Sequence, residues 1–103
     1  SPGRVITFLW MLKAEALAAQ GQREEALALL AAAAGNAQMV GERFLLWRVR
    51  ACLGRLYADM GQLADVEREI SAACGMVKEL ARDLPPGELR DGFVQRASAG
   101  LAF

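Results

Sequence analysis

At 103 residues the chain is one small domain at most, and it must bury much of its apolar surface to be stable. Basic and acidic residues number 12 each, so a net charge of zero gives no argument for nucleic acid, and two cysteines without histidine exclude the usual structural zinc patterns. Hydrophobic residues make up 54%, much of it alanine, and a mean hydropathy of +0.20 implies an alanine-padded core or an apolar surface that faces a partner.

No uncharged apolar run reaches about 18 residues, so no membrane span is expected. Arg4 followed by VITFLWML imitates a short signal segment. Lys13 and Glu15 follow at once without a small-residue cleavage site, and the run reads as a helix start. Cys52 and Cys74 read as buried free thiols in a reducing, cytoplasmic compartment, with a disulfide between them as the alternative that their spacing allows. The Ser-Pro-Gly start reads as an excised piece of a larger protein or a tag remnant.

The first helix is expected to begin near residues 2 to 5, with Pro2 in its first turn and Phe8, Leu9, Leu12, Ala16 and Leu17 as its buried stripe beside Trp10. Gly21 stops it. A second helix is expected from Gln22 to Ala34, with Ala26, Leu29, Leu30 and Ala33 inward and Glu24 and Glu25 in the first turn, where the helix dipole favours them. Gly35, Asn36 and Gly41 bracket a loop over residues 35–41, of which 37–40 can add a turn to either side.

A third helix is expected over Glu42 to Met60, with Leu46, Trp47, Arg50, Leu53, Gly54 and Tyr57 on one face. Gly54 sits mid-helix, at a cost of about 1 kcal/mol relative to alanine, which suits a close helix contact. Gly61 ends this helix. Leu63, Val66, Ile70, Ala73, Val77, Leu80 and Leu84 then continue one apolar pattern, so the fourth helix is a single long one that reaches about residue 84. Pro85, Pro86 and Gly87 break it. A last helix from Pro86 to Ala99 presents Leu89, Phe93, Val94 and Ala97 on one side and folds back on the fourth; the terminal GLAF reads as frayed, or as the start of a further segment.

Aligning Gly21 with Gly61 places Trp10 over Arg50, Ala14 over Gly54, Leu17 over Tyr57, Ala26 over Val66, Leu30 over Ile70 and Ala33 over Ala73, a tandem repeat at a 40-residue offset. Leu53-Gly54, Tyr57, Gly61, Ile70 and Ala73 resemble a tetratricopeptide repeat. The first copy keeps Trp10, Gly21, Ala26, Leu30 and Ala33 but has Lys13-Ala14 for Leu-Gly, and the second has Arg50 and Val66 where the family has Trp and Ala. The resemblance implies an all-α superhelix of about five antiparallel helices in one domain: repeat one over 4–34, repeat two over 42–75, and a capping helix over 86–99. The 40-residue period and the closing segment WRVRACLGRLYADMGQLADVEREISAA are similar to the C-terminal repeats of large bacterial signalling proteins, namely maltose-regulator-type transcriptional activators and repeat-bearing nucleotide cyclases.

For chemistry there is little. Glu24 and Glu25, and Glu67 and Glu69, do not share a helix face and read as solvated surface. Asp59 and Asp65 flank the Gly61 turn, Cys52 and Cys74 read as structural, and no phosphate-binding glycine loop occurs. No enzyme activity, metal or cofactor is expected.

Binding remains. Arg43/Arg50 and Arg48/Arg55 form two basic stripes; nucleic-acid binding through them is a minor reading. In the family the first helix of each repeat lines the concave wall, so the resemblance implies a peptide groove of Met11, Glu15, Ala18, Arg48, Ala51, Arg55 and Asp59. Its arginines suit an acidic or carboxylate-bearing peptide, or else pair with Glu15, Asp59 or solvent. Met11 and Glu15 stand where some members hold a Lys and an Asn that clamp a terminal carboxylate. Arg50, semi-buried, is expected to pack its stem on Trp10 or Trp47 and to reach a carboxylate.

The leading expectation is a non-catalytic interaction or scaffold module of a bacterial regulator, with a protein or peptide or the adjacent repeats as partner. The alternative is a solenoid cap or a homodimer formed through Val5, Ile6, Phe8 and Leu9.

Overall fold

The computed structural model describes residues 2–101, with side chains from Ile6 to Leu101, as five α-helices and, among the described residues, no strand. They are α1 (Pro2–Ala19), α2 (Arg23–Val40), α3 (Arg43–Asp59), α4 (Leu63–Asp83) and α5 (Glu88–Leu101).

One local device ends the first three. Gly21, Gly41 and Gly61, spaced 20 residues apart, have φ of 83°, 74° and 74°. After each glycine the next residue donates its backbone N–H to the carbonyl five residues back: Gln22 to Leu17, Glu42 to Ala37 and Gln62 to Tyr57, all at 2.9 Å. This closure satisfies carbonyls that the helix end would leave unpaired, and it requires the left-handed conformation that glycine adopts cheaply.

The expected loop over 35–41 is therefore wrong. Gly35 and Asn36 lie inside α2, which runs to Val40, and only Gly41 and Glu42 turn the chain. Helix continues because it buries Ala37 completely and brings the Asn36 side chain to Thr7 in α1, where Asn36 Nδ2 donates to Thr7 Oγ1 at 2.7 Å. Alanine substitution separates the two kinds of glycine. At Gly41 the side chain meets open space but the backbone is strained, so Gly41→Ala should cost about 1 kcal/mol. Gly35 and Gly75 are helical and also open, so Gly35→Ala and Gly75→Ala should each add roughly 0.5–1 kcal/mol. Urea melts of the three variants check the opposite signs.

Packing is sequential. α1 packs on α2, α2 on α3, α3 on α4 and α4 on α5, with further contacts of α1 and α5 on α3. Overall extents of 41 × 31 × 19 Å give a slab about two helices thick. α1 and α5 each contact α3, and α2 and α4 do not contact each other among the described residues. α3 touches all four other helices, which explains why it is buried at Leu45, Leu46, Trp47, Val49, Ala51, Leu53, Gly54 and Leu56, far more than one stripe.

The core has two parts. Met11, Ala14, Ala26, Leu30, Ala33, Val49, Leu53 and Leu56 join α1, α2 and α3, and alanines supply much of that interior. Trp47, Val77, Leu80, Phe93 and Ala97 join α3, α4 and α5. Phe93 meets Trp47 edge-on at 6.1 Å and Phe44 at 5.7 Å, geometries favoured by the ring quadrupoles.

Several facing assignments need correction. α1 buries Thr7, Met11 and Ala14, while Phe8, Leu9, Leu12 and Ala16 are exposed and Leu17 and Trp10 only half-buried. Ala14 lets a neighbouring backbone come close, Met11 fills the first core, and Phe8, Leu9 and Leu12 stay outside it. Leu63, Leu89 and Val94 are likewise exposed. Gly100 and Leu101 continue α5 against Trp47 and the second core, so the chain is not frayed there; residues 102–103 lie outside the described residues. α5 begins at Glu88 rather than Pro86.

Candidate functional site

The seam between α1 and α3 holds two adjoining cavities on the face of the slab that these helices share. One, of about 140 Å³, is lined by Ala14, Glu15, Ala18, Cys52, Arg55 and Asp59, with Leu30 and Leu56 beneath. The other, of about 180 Å³, is lined by Met11, Glu15, Trp47, Arg48, Ala51, Cys52 and Arg55, and Gly100 of α5 closes it. Glu15, Cys52 and Arg55 belong to both, so the two form one cleft.

The structure thus brings Met11, Glu15, Arg48, Ala51, Arg55 and Asp59 together. They do not play equal parts. Met11 and Ala51 are buried and form the floor, while Glu15, Arg48, Arg55 and Asp59 are exposed and form a rim of mixed charge. Each cavity is well below the 300 Å³ or so that a small-molecule pocket usually needs, and each is sized for one side chain. Arg55 Nη2 donates to the Gly100 carbonyl at 3.3 Å, which ties α3 to the end of α5. That carbonyl partner is neither of the acids expected for it.

Between the rims lies Cys52, whose Sγ is 3.8 Å from Glu15 Oε1. Burial and the Glu15 carboxylate push this thiol up to about 11, against the opposing pull of Arg55 and Arg48. At pH 8 it is almost wholly protonated, so alkylation by iodoacetamide should run roughly 100-fold slower than at an ordinary thiol and speed up on approach to pH 11. Because the folded value is the higher one, this thiol's contribution to stability is fully present below pH 9 and is lost as pH rises towards 11. A rate pH profile of the Cys74→Ser variant checks this. Both cysteines are free and half-buried.

The other singled-out residues fall elsewhere. Arg50 is half-buried and its Nη1 donates to Glu69 Oε2 at 3.1 Å, as its position required. Glu69 itself is buried at 6% exposure, which corrects its assignment to solvated surface; Arg68 also lies 3.6 Å from it. The spacing of Glu69 from Arg50, across the Gly61 turn, held the signal for this pair. Arg43 pairs with Asp83 at 3.1 Å and Arg68 with Asp65 at 2.8 Å. The repeat positions Ala26, Leu30, Ala33, Leu53, Gly54 and Ala73 are buried, Trp10, Tyr57 and Ile70 are half-buried, and Gly21 and Gly61 are the turns already described. Of the α1 cluster, Ile6, Phe8 and Leu9 are exposed, and the Val5 side chain lies outside the described residues. Among the described residues no three His, Cys, Asp or Glu side chains converge as metal ligands, and no helix is long and apolar enough to cross a membrane.

No family model, curated protein or solved structure matches this chain.

Proposed function

We propose that the chain is a non-catalytic interaction module with tetratricopeptide-like architecture: α1/α2 and α3/α4 as two repeated hairpins, α5 as a cap, and the α1/α3 cleft as the seat of a carboxylate-bearing peptide from a protein partner. Its setting would be a larger, cytoplasmic bacterial regulator of signalling or transcription. The observation that supports this most is the convergence of Glu15, Arg48, Arg55 and Asp59 as a charged rim over an apolar floor from Met11 and Ala51. Two side-chain-sized cavities joined in a row suit a peptide better than a compact metabolite. Arg48, exposed and with no hydrogen bond or ion pair among the described residues, is the cation on offer, and Arg55 stands seven residues on.

A peptide-display selection on the whole chain tests this. Enriched sequences should be rich in Asp, Glu or a free C-terminus, and Arg48→Glu should weaken them about tenfold or more without altering the melting curve. Selected peptides that bind the variant as well as the parent would sink the assignment.

The exposed stripe of α1 supports a second reading, self-association, since Leu9 is 55% exposed beside Ile6 and Leu12. Light scattering on a dilution series decides it. A dimer that Leu9→Asp abolishes favours this second reading, and a monomer at every concentration removes it.

A further inference from the structure

We propose that the cleft between α4 and α5, on a different part of the molecule, is a docking site for an amphipathic helix of a partner protein that carries carboxylates along one flank. This cleft measures about 480 Å³, several times either cavity of the α1/α3 seam. Its floor is aliphatic, with Val77 and Ala81 from α4 and Val94 and Leu101 from α5. Val94 is 38% exposed, so hydrocarbon meets water here where the second core ends.

The rim is basic. Lys78 and Arg82 stand one turn apart on α4, both exposed, and neither side chain has an ion pair or hydrogen bond among the described residues. No carboxylate belongs to the lining. Arg90 plays a separate part: its Nη2 and Nε donate to the Leu84 carbonyl at 2.6 and 3.2 Å, which closes the end of α4 and braces one end of the cleft. Two uncompensated cations beside an aliphatic floor are complementary to an occupant with the reverse pattern.

Shape selects the kind of occupant. The α5 wall, from Arg90 to Leu101, spans about three turns, or roughly 16 Å at 1.5 Å per residue. That length matches a three-turn helix, and the four-residue step from Lys78 to Arg82 matches the repeat of one helix face. Aliphatic residues at i, i+3 and i+7 reach the floor, and carboxylates four apart on the next stripe match Lys78 and Arg82, themselves four apart.

The probe is a fluorescein-labelled, stapled helix about three turns long, with leucines at i, i+3 and i+7 and glutamates flanking them four apart. A version with lysine for each glutamate is its counterpart. On the full chain, anisotropy should show saturable binding of the acidic helix, reduced roughly tenfold or more by Lys78→Glu with Arg82→Glu. The same double variant should gain binding of the lysine helix, and Val94→Asp should lose the acidic one. Arg48→Glu should leave all of this unchanged, which separates the result from the α1/α3 cleft. All four positions are exposed, so melting curves should overlay and exclude misfolding. Equal binding of both helices, insensitivity to the double variant, or binding of phosphatidylserine vesicles in place of the acidic helix would overturn the proposal.

Discussion

Leu80→Ala is expected to lower the unfolding free energy by about 3 kcal/mol. Leu80 is 1% exposed at the centre of the small core formed by Trp47, Val77, Phe93 and Ala97. Two contributions add: the lost transfer energy of the side chain, and the void left where helices from three parts of the chain meet. The void collapses poorly, because aromatic rings at Trp47 and Phe93 hold its far wall. α5 has 14 residues, too few to persist as an isolated helix, so its order depends on this core. Loss of packing should therefore also loosen the α5 backbone and speed tryptic cleavage after Arg96, which is already exposed. Leu63→Ala, at 75% exposure, is the control and should change stability by less than about 0.5 kcal/mol. Equal effects at the two leucines would mean that α5 does not depend on the second core.

Glu69→Ala should cost about 2–3 kcal/mol, below the upper range for buried ion pairs because Arg50 keeps 27% side-chain exposure. Truncation strands the guanidinium beside apolar neighbours, where water solvates it only in part. Arg50→Met should cost at least as much, since it strands the deeper partner: the Glu69 side chain is 7% exposed, and the remaining arginine lies 3.6 Å away. Replacing both, as Arg50→Met with Glu69→Leu, should recover most of the loss, because the desolvation cost of the pair disappears with its attraction. Chemical melts of the three variants form a double-mutant cycle, and simple additivity of the single losses would show that the two side chains do not interact in solution.

Local chemistry made the turns legible. Gly21 and Gly61 could be read as corners because left-handed backbone is a property of the residue itself, and the break at Pro85-Pro86 is likewise local. Gly41 belongs to the same series, yet Gly35 and Asn36 drew the break upstream. The contact that keeps the chain helical there, Asn36 on Thr7, joins residues 29 apart in sequence. The rim of the α1/α3 cleft came from a family resemblance, and Glu69 was misplaced because side-chain spacing within one helix says nothing of an arginine on another.

By itself the sequence determined how many helices form among the described residues and where three of four turns fall, and its alanine content allowed a padded core. Only tertiary structure decided which face of each helix is buried. Apolar residues surround α1, so periodicity permits more than one inward stripe, and packing against α2 and α3 selected Thr7, Met11 and Ala14: Asn36 holds Thr7, and Met11 and Ala14 join the first core. Leu9, Leu63, Leu89 and Val94 stay in water although each is as apolar as residues of the core, so exposure follows a residue's place among the helices and not its hydrophobicity.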